Sequence, residues 1–221
     1  MLFQDRDDAG RQLATALVKY KSRRPVILAL PRGGVPVAAQ VADRLQAPLD
    51  LVLVRKIGAP MQPELAMGAV VDGEQPVIVR NRDIIDFTGV SEETFDAICK
   101  EELDEIDRRR ERYLGNRARS EVKGQVAIIV DDGIATGATT LAAIQALQKR
   151  EPKELILAVP VAPLDTLQRL RGEVDAIVCL DTPRDFGAIG YYYRDFSQVS
   201  DDEVIAILKR FPARATAAPA S

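Results

Sequence analysis

Two adjacent aspartates, Asp131 and Asp132, directly follow an apolar run at residues 126–130. The next residues are small or carry hydroxyl groups, among them Thr136 and Thr139, and they lead into a stretch typical of a helix. The amides of such a turn and the positive end of the helix can hold a phosphate group. Carboxylates repel phosphate but accept hydrogen bonds strongly from neutral donors such as sugar hydroxyls. The whole pattern therefore predicts a site for a sugar phosphate.

The sequence contains no histidine, and this excludes several kinds of catalytic and metal site. It excludes Ser-His-Asp and Cys-His catalysis, His-ligated zinc and acid–base work by imidazole. Carboxylates, Lys and Arg side chains, hydroxyls and backbone amides remain, together with a hard cation such as Mg²⁺ held by oxygen atoms. The phosphate turn is not a Walker loop, because no Gly-Lys-Ser/Thr follows, and it lacks the Gly-x-Gly-x-x-Gly dinucleotide fingerprint.

A second group of candidate residues, Arg32, Gly33 and Gly34, follows another apolar run at residues 25–30. The two glycines expose backbone amides and Arg32 adds a planar cation with five donors, a combination that suits pyrophosphate. Taken alone, the pattern is equally typical of a tight turn with a surface arginine. Arg55 and Lys56 follow the next apolar run, where adjacent cations could neutralise the same group.

Strands alternate with helices along the chain, which predicts a parallel α/β sheet with helices on both faces. Strands are predicted at residues 25–30, 51–54, 126–130, 155–161 and 176–180, and helices at 7–20, 91–114, 137–150, 164–170 and 201–211, with a further helix after Gly34 and a hairpin from 68–71 and 77–79. Ligands of such sheets bind at the carboxyl ends of the strands. The candidate residues above all lie at such ends.

Length, composition and charge indicate the domain organisation and the general class of the protein. The 221 residues are 47% hydrophobic and 29% charged, which fits one compact unit with an insertion. We predict a single domain over residues 1–211, with an insertion at about 81–118, a hood at about 181–211 and a disordered tail at 212–221. The net charge of −3 argues against an extended nucleic-acid surface. Without an apolar run of membrane-spanning length or a signal-peptide pattern, we expect a cytoplasmic protein.

The run from the apolar strand through Asp-Asp, two residues and Ala-Thr-Gly-Ala-Thr resembles the signature of the type I phosphoribosyltransferases, which bind phosphoribosyl pyrophosphate (PRPP). The resemblance implies that Asp131 and Asp132 bind the ribose hydroxyls. It also implies a pyrophosphate site at Arg32 and Lys56 with the two glycines of residues 33–34, and a mobile active-site loop at 57–68. The residues implied to surround the 5′-phosphate are Ala135, Thr136, Gly137, Ala138 and Thr139.

The aromatic stretch at residues 183–197 is similar to the segment that hypoxanthine-guanine phosphoribosyltransferases place over the purine. The resemblance implies that Phe186 stacks on the acceptor and that Asp195 helps to hold Mg²⁺, although this sequence has two extra residues between them. No lysine stands at 159–162, where those enzymes read the purine 6-oxo group, so oxopurine specificity does not follow. We expect Tyr191–Tyr193 to pack in the core.

The Pro-Arg-Gly-Gly turn, the Val-Arg-Lys-Ile-Gly-Ala-Pro stretch and the long charged helix resemble predicted bacterial phosphoribosyltransferases of unestablished acceptor. The resemblance implies a Mg²⁺-dependent homodimer that transfers a phosphoribosyl group to a small, nucleobase-like or other molecule and releases pyrophosphate. The alternative is a regulatory protein that binds PRPP without turnover. A phosphate-accepting receiver domain fits poorly, because its acidic pair follows the first strand, and here that strand ends in Arg32-Gly33-Gly34.

Overall fold

The computed structural model describes residues 1–73 and 76–211. The predicted disordered tail, 212–221, lies outside the described residues. The strands are β1 (Val26–Ala29), β2 (Leu49–Leu51), β3 (Val54–Ala59), β4 (Gln62–Val71), β5 (Val77–Arg80), β6 (Val126–Val130), β7 (Glu154–Val161) and β8 (Ala176–Asp181). The helices are α1 (Arg6–Leu17), α2 (Gly34–Leu45), α3 (Arg82–Thr88), α4 (Glu92–Leu114), α5 (Ala138–Gln148), α6 (Leu164–Leu170) and α7 (Asp201–Lys209).

Five strands form a parallel sheet in the order β2-β1-β6-β7-β8. Strands β1 and β6, which precede the two candidate loops, are direct neighbours, with Ala29 opposite Val130. Parallel strands put their carboxyl ends at the same edge, so the two loops meet there. The predicted fold class, a mainly parallel α/β sheet with helices on both faces, is confirmed.

Alternate residues of each central strand enter different layers of the core, as the pleat of a strand requires. Ile27 and Ile128 pack on the face covered by α1, α2, α4 and α7. Leu28 and Ile129 pack on the opposite face, which α5 and α6 cover. Because both faces are buried, the strands are continuous apolar runs rather than alternating ones.

A second, antiparallel sheet of three strands, β3-β4-β5, lies beside the parallel one and contains the predicted hairpin. It corrects the loop predicted at 57–68, which instead forms most of strands β3 and β4. Gly58 and Pro63 are of types typical of loops. Here Gly58 pairs with Ala66 at a bulge, and a Cβ on Gly58 would meet the Pro63 backbone. The small size of glycine serves a close approach between paired strands.

The strand predicted at 51–54 is also shifted, because Asp50 lies inside β2 rather than before it. This aspartate is buried, and its carboxylate accepts hydrogen bonds from the amides of Leu51 and Ser120. A charged residue can occupy a buried strand when its oxygens are bonded in this way. The neighbouring segment from Val54 turns away to start the antiparallel sheet.

The long helix predicted at 91–114 is confirmed as α4, and Ser91 caps it by accepting a hydrogen bond from the amide of Thr94. Short helix α3 was not predicted. The run of three arginines at 108–110 is typical of a solvated helix face, and this interpretation is wrong for Arg110, which is nearly buried and pairs with the buried Asp72 at 2.8 Å. Helix α4 is thereby fixed to the end of β4. Among the described residues, none of the helices has the length and apolar character needed to cross a membrane.

Candidate active site

The predicted phosphate turn joins β6 to α5, and side chains of α6 hydrogen-bond to it. Gly137, with φ +77°, takes the left-handed conformation that places the following amides at the helix start. The Thr166 hydroxyl donates to the carbonyl of Ala135 at 2.9 Å, and Arg169 donates to the carbonyl of Thr136 at 3.1 Å. These two carbonyls therefore point toward α6. Residues 135, 136, 138 and 139 are exposed, so the turn is open to a ligand.

The acidic pair begins this turn in a largely desolvated position. Asp132 is 8% exposed, and the Asp131 carboxylate accepts the amide hydrogen of Asp132 at 2.9 Å. Burial, and the neighbouring Asp132 carboxylate, raise the pKa of Asp131 above its usual range. Burial also raises the pKa of Asp132, while the Arg6 guanidinium opposes that rise. A shifted acidic pair at a strand end is typical of a functional site rather than of a simple turn.

The glycine turn lies directly against the acidic pair. A Cβ on Gly33 would overlap the Asp132 carboxylate, and one on Gly34 would lie 2.9 Å from the Asp131 Cα. Only glycine lacks the Cβ that would block this approach. The two glycines therefore allow the first loop to pack directly against the aspartates of the second loop. The preceding Pro31–Arg32 peptide bond is cis. The Arg32 side chain is about one-third exposed, and its Nη1 lies 3.7 Å from Asp201 of α7.

The two cations predicted to bind pyrophosphate contact different elements. Lys56 pairs with the fully exposed Glu64 across the β3–β4 hairpin at 3.0 Å. It lines a cavity of about 530 Å³ between the antiparallel sheet and α5, where Ala138 and Thr139 also lie. Arg32 instead faces α7 on the other side of the parallel sheet. The structure therefore brings Lys56 to the phosphate turn and the Arg32 side chain to α7, and not the two cations together.

The aromatic stretch holds Phe186 and Asp195 at the same edge. Phe186 is half-buried and stacks on Tyr192, with ring centroids 5.4 Å apart. Core packing is confirmed for Tyr193, which is buried and donates its hydroxyl hydrogen to the Asp132 carbonyl at 2.5 Å. It is wrong for Tyr191, which is 76% exposed. Burial raises the pKa of Tyr193, so this donor stays protonated.

Asp195 is exposed, and its carboxylate accepts hydrogen bonds from the amide and hydroxyl of Ser197. These bonds lower the pKa of Asp195. Within residues 1–73 and 76–211, no three acidic or cysteine side chains converge as a metal cage would require. A cation at Asp195 would therefore need most of its oxygen ligands from a substrate.

Arg6 is the residue of this site that the sequence interpretation missed. It begins α1, and its Nε donates to Asp132 Oδ2 at 2.7 Å. The partners are 126 positions apart. No motif surrounds Arg6 in the sequence Phe3-Gln4-Asp5-Arg6-Asp7, where acidic neighbours make it look like part of a solvated helix start. Only the packing of the N-terminal segment against residues 192–195 brings it to the acidic pair.

Comparisons with known proteins agree with this geometry. A family model described as the phosphoribosyl transferase domain matches residues 4–195. The chain is 50% identical over 209 residues to a protein known from two strains of Mycobacterium tuberculosis, CDC 1551 and H37Rv, and named provisionally as a phosphoribosyl transferase. The match covers 95% of this chain and 47% of the relative, so the chain spans about half the length of these relatives.

A solved structure, that of the TT1426 protein of Thermus thermophilus, is similar along the whole fold. It is 40% identical, with a TM-score of 0.84, and the match covers 96% of this chain and 100% of that one. The parallel sheet, the acidic pair and the phosphate turn therefore stand in a chain whose sequence matches the family model over most of its length. The chain belongs to the phosphoribosyltransferase family.

Proposed function

We propose that this protein binds PRPP and transfers its phosphoribosyl group to a small-molecule acceptor, with release of pyrophosphate. The observation that carries the proposal is the contact between the glycine turn and the acidic pair, where Gly33 touches the Asp132 carboxylate. A pyrophosphate at the first loop and a ribose at the second would be neighbours there, as they are within one PRPP molecule.

Binding follows from the chemistry of each loop. The carboxylates of Asp131 and Asp132 accept hydrogen bonds from the ribose hydroxyls. The amides and hydroxyls of residues 135–139 donate to the 5′-phosphate at the positive end of α5. Thr166 and Arg169 hold the turn in shape before the ligand arrives. Such preorganisation reduces the entropy lost on binding.

The reaction requires the leaving pyrophosphate to be stabilised as its bond to C1′ of the ribose breaks and the acceptor nucleophile attacks from the opposite face. Arg32 and the Gly33 amide donate to the developing charge, while the Gly34 amide donates to the Leu30 carbonyl at 3.1 Å and holds the turn in shape. Lys56 does not lie beside Arg32 in this structure, so its part in the proposal requires that it exchange Glu64 for the pyrophosphate. The exchange costs little, since a surface ion pair of this kind contributes about 0–1 kcal/mol. The protein supplies position and charge, and no imidazole is needed.

Mg²⁺ fits these residues as a cation that enters with PRPP, because the site offers carboxylate oxygens but no cage among the described residues. When bound, it neutralises charge on the pyrophosphate as a Lewis acid. Asp195, whose low pKa keeps it ionised, is the side chain we assign to hold it. We assign Phe186 to stack on the acceptor with the ring face that Tyr192 does not cover.

We also propose that the protein is a cytoplasmic homodimer. Two free cysteines, Cys99 and Cys179, are typical of a reducing compartment. The side chains of Phe87 and Met61 are 81% and 92% exposed, which provides apolar surface for a second copy. Light scattering on the purified protein tests the dimer, and a monomeric mass at micromolar concentration would contradict it.

The proposed activity is tested by following pyrophosphate release from PRPP and Mg²⁺ in the presence of a panel of nucleobases and a fractionated metabolite extract. Turnover that depends on one acceptor is expected, and Asp131→Asn should abolish it. The matched control is Asp165→Asn, an exposed aspartate at the start of α6. PRPP binding without release for any acceptor would instead identify a PRPP-binding regulatory protein.

A further inference from the structure

Arg6 links three parts of the chain at the candidate site. Its Nε donates to Asp132 Oδ2 at 2.7 Å, and its Nη1 donates to the carbonyl of Ser197 at 2.7 Å. The guanidinium carbon lies 3.9 Å from the centre of the Phe196 ring. Both side chains of the Arg6–Asp132 pair are only 11% exposed. The guanidinium is therefore fixed on three sides rather than free to swing in and out.

The pair of buried carboxylates needs this cation. Two like charges taken out of water repel each other and favour protonation of one of them, and an opposite charge in contact favours the ionised form. A protonated or rotated Asp132 would be a poorer acceptor for a sugar hydroxyl. Arg6 bonds one carboxylate oxygen, Oδ2, and leaves Oδ1 for a further donor.

We propose that Arg6 is a positioning residue that holds the Asp132 carboxylate ionised and oriented to receive the ribose hydroxyls of PRPP. The inference rests on the proposed function. Arg6 acts through Asp132 rather than on the ligand. Its role is therefore specific to the ribose, and ligands that lack a ribose do not depend on it.

Calorimetric titration of four proteins with PRPP and with pyrophosphate, each with Mg²⁺, tests the inference. Beside wild type, the variants are Arg6→Met, Arg6→Lys and, as the matched control, Arg11→Met, which removes an arginine that is 59% exposed from the same helix. We expect Arg6→Met to weaken PRPP binding by about tenfold to a hundredfold, the range for a lost hydrogen bond to a charged group. Pyrophosphate affinity should stay within about threefold, and Arg11→Met should match wild type.

Arg6→Lys should recover part of the PRPP affinity, because an ammonium restores the charge but cannot bond Asp132 and Ser197 with the same planar fork. If Arg6→Met does not fold, Arg6→Lys decides: PRPP affinity below wild type with unchanged pyrophosphate affinity supports the inference. Unchanged PRPP affinity in the substituted proteins, or an equal loss for both ligands, would overturn it. Tighter PRPP binding would also overturn it, by showing that Arg6 is an inhibitory contact. Failure of wild type to bind PRPP would refute the proposed function itself.

Discussion

Substitution of Gly33 by alanine should damage the site through a single methyl group. The added Cβ would lie 2.6 Å from the Asp132 Cγ, whereas packed carbon atoms stay about 3.5–4.0 Å apart. The carboxylate or the glycine turn must therefore move by about 1 Å. Asp132 cannot turn aside freely, because Arg6 holds it in a buried ion pair.

The expected cost has two parts. Overpacking of this kind destabilises a fold by about 1–3 kcal/mol, and in a chain of this size each kcal/mol lowers the midpoint of thermal unfolding by about 2–4 °C. A misplacement of about 1 Å in a reacting geometry can cost about a hundredfold in rate. We therefore expect Gly33→Ala to melt several degrees lower and to lose about a hundredfold in turnover of PRPP.

The matched control is Gly172→Ala, since Gly172 is exposed and a Cβ there would meet nothing within 4 Å. Differential scanning calorimetry measures the midpoint, and pyrophosphate release measures turnover. The control should match wild type in both. A Gly33→Ala protein with wild-type midpoint and turnover would refute the close packing of the two loops and the role we give to it.

Four further predictions concern the same site. Gly137→Ala should lower the unfolding free energy by about 1–3 kcal/mol in chemical denaturation and weaken phosphate binding, because φ is +77° and its Cβ would lie 2.9 Å from Thr166 Cγ2. Thr166→Val keeps the shape but removes the donor to residue 135, which should weaken inorganic phosphate binding by calorimetry. Tyr193→Phe should cost about 1–3 kcal/mol in denaturation, because it leaves the Asp132 carbonyl without its donor. Since the folded-state pKa of Asp131 is raised, its stabilising effect is present at acid pH and is lost as pH rises through that pKa. Asp131→Asn should therefore raise the neutral-pH unfolding midpoint of the ligand-free protein, and flatten its pH dependence, while abolishing PRPP binding.

The features that could be predicted from the sequence are local. The acidic pair and the turn at residues 135–139 form one continuous stretch of sequence. Their closeness in the sequence is therefore enough to predict that they lie together in the fold. The parallel sheet was predictable because strands buried on both faces are continuous apolar runs. Ser91 and Ser200, which cap α4 and α7, follow the same local rule.

The features that could not be predicted depend on distant contacts. Nothing near Arg6 in the sequence indicates its partner, because the pairing arises only when the N-terminal segment packs beside residues 192–195. Asp50 resembles a break in an apolar strand, since the hydrogen bond that it accepts from Ser120 crosses 70 positions. Gly58 and Pro63 indicate a loop, because a bulge between paired strands and a loop use the same residue types.

The roles proposed for the other residues of the site all require that the acidic pair binds PRPP. Calorimetric titration of the full chain with PRPP and Mg²⁺ measures it, with the double variant Asp131→Asn/Asp132→Asn beside wild type. We predict saturable heat for wild type and none for the double variant, while a melting scan shows that both are folded. Absence of heat with wild type, or equal affinity in the folded double variant, would contradict the assignment of these two aspartates.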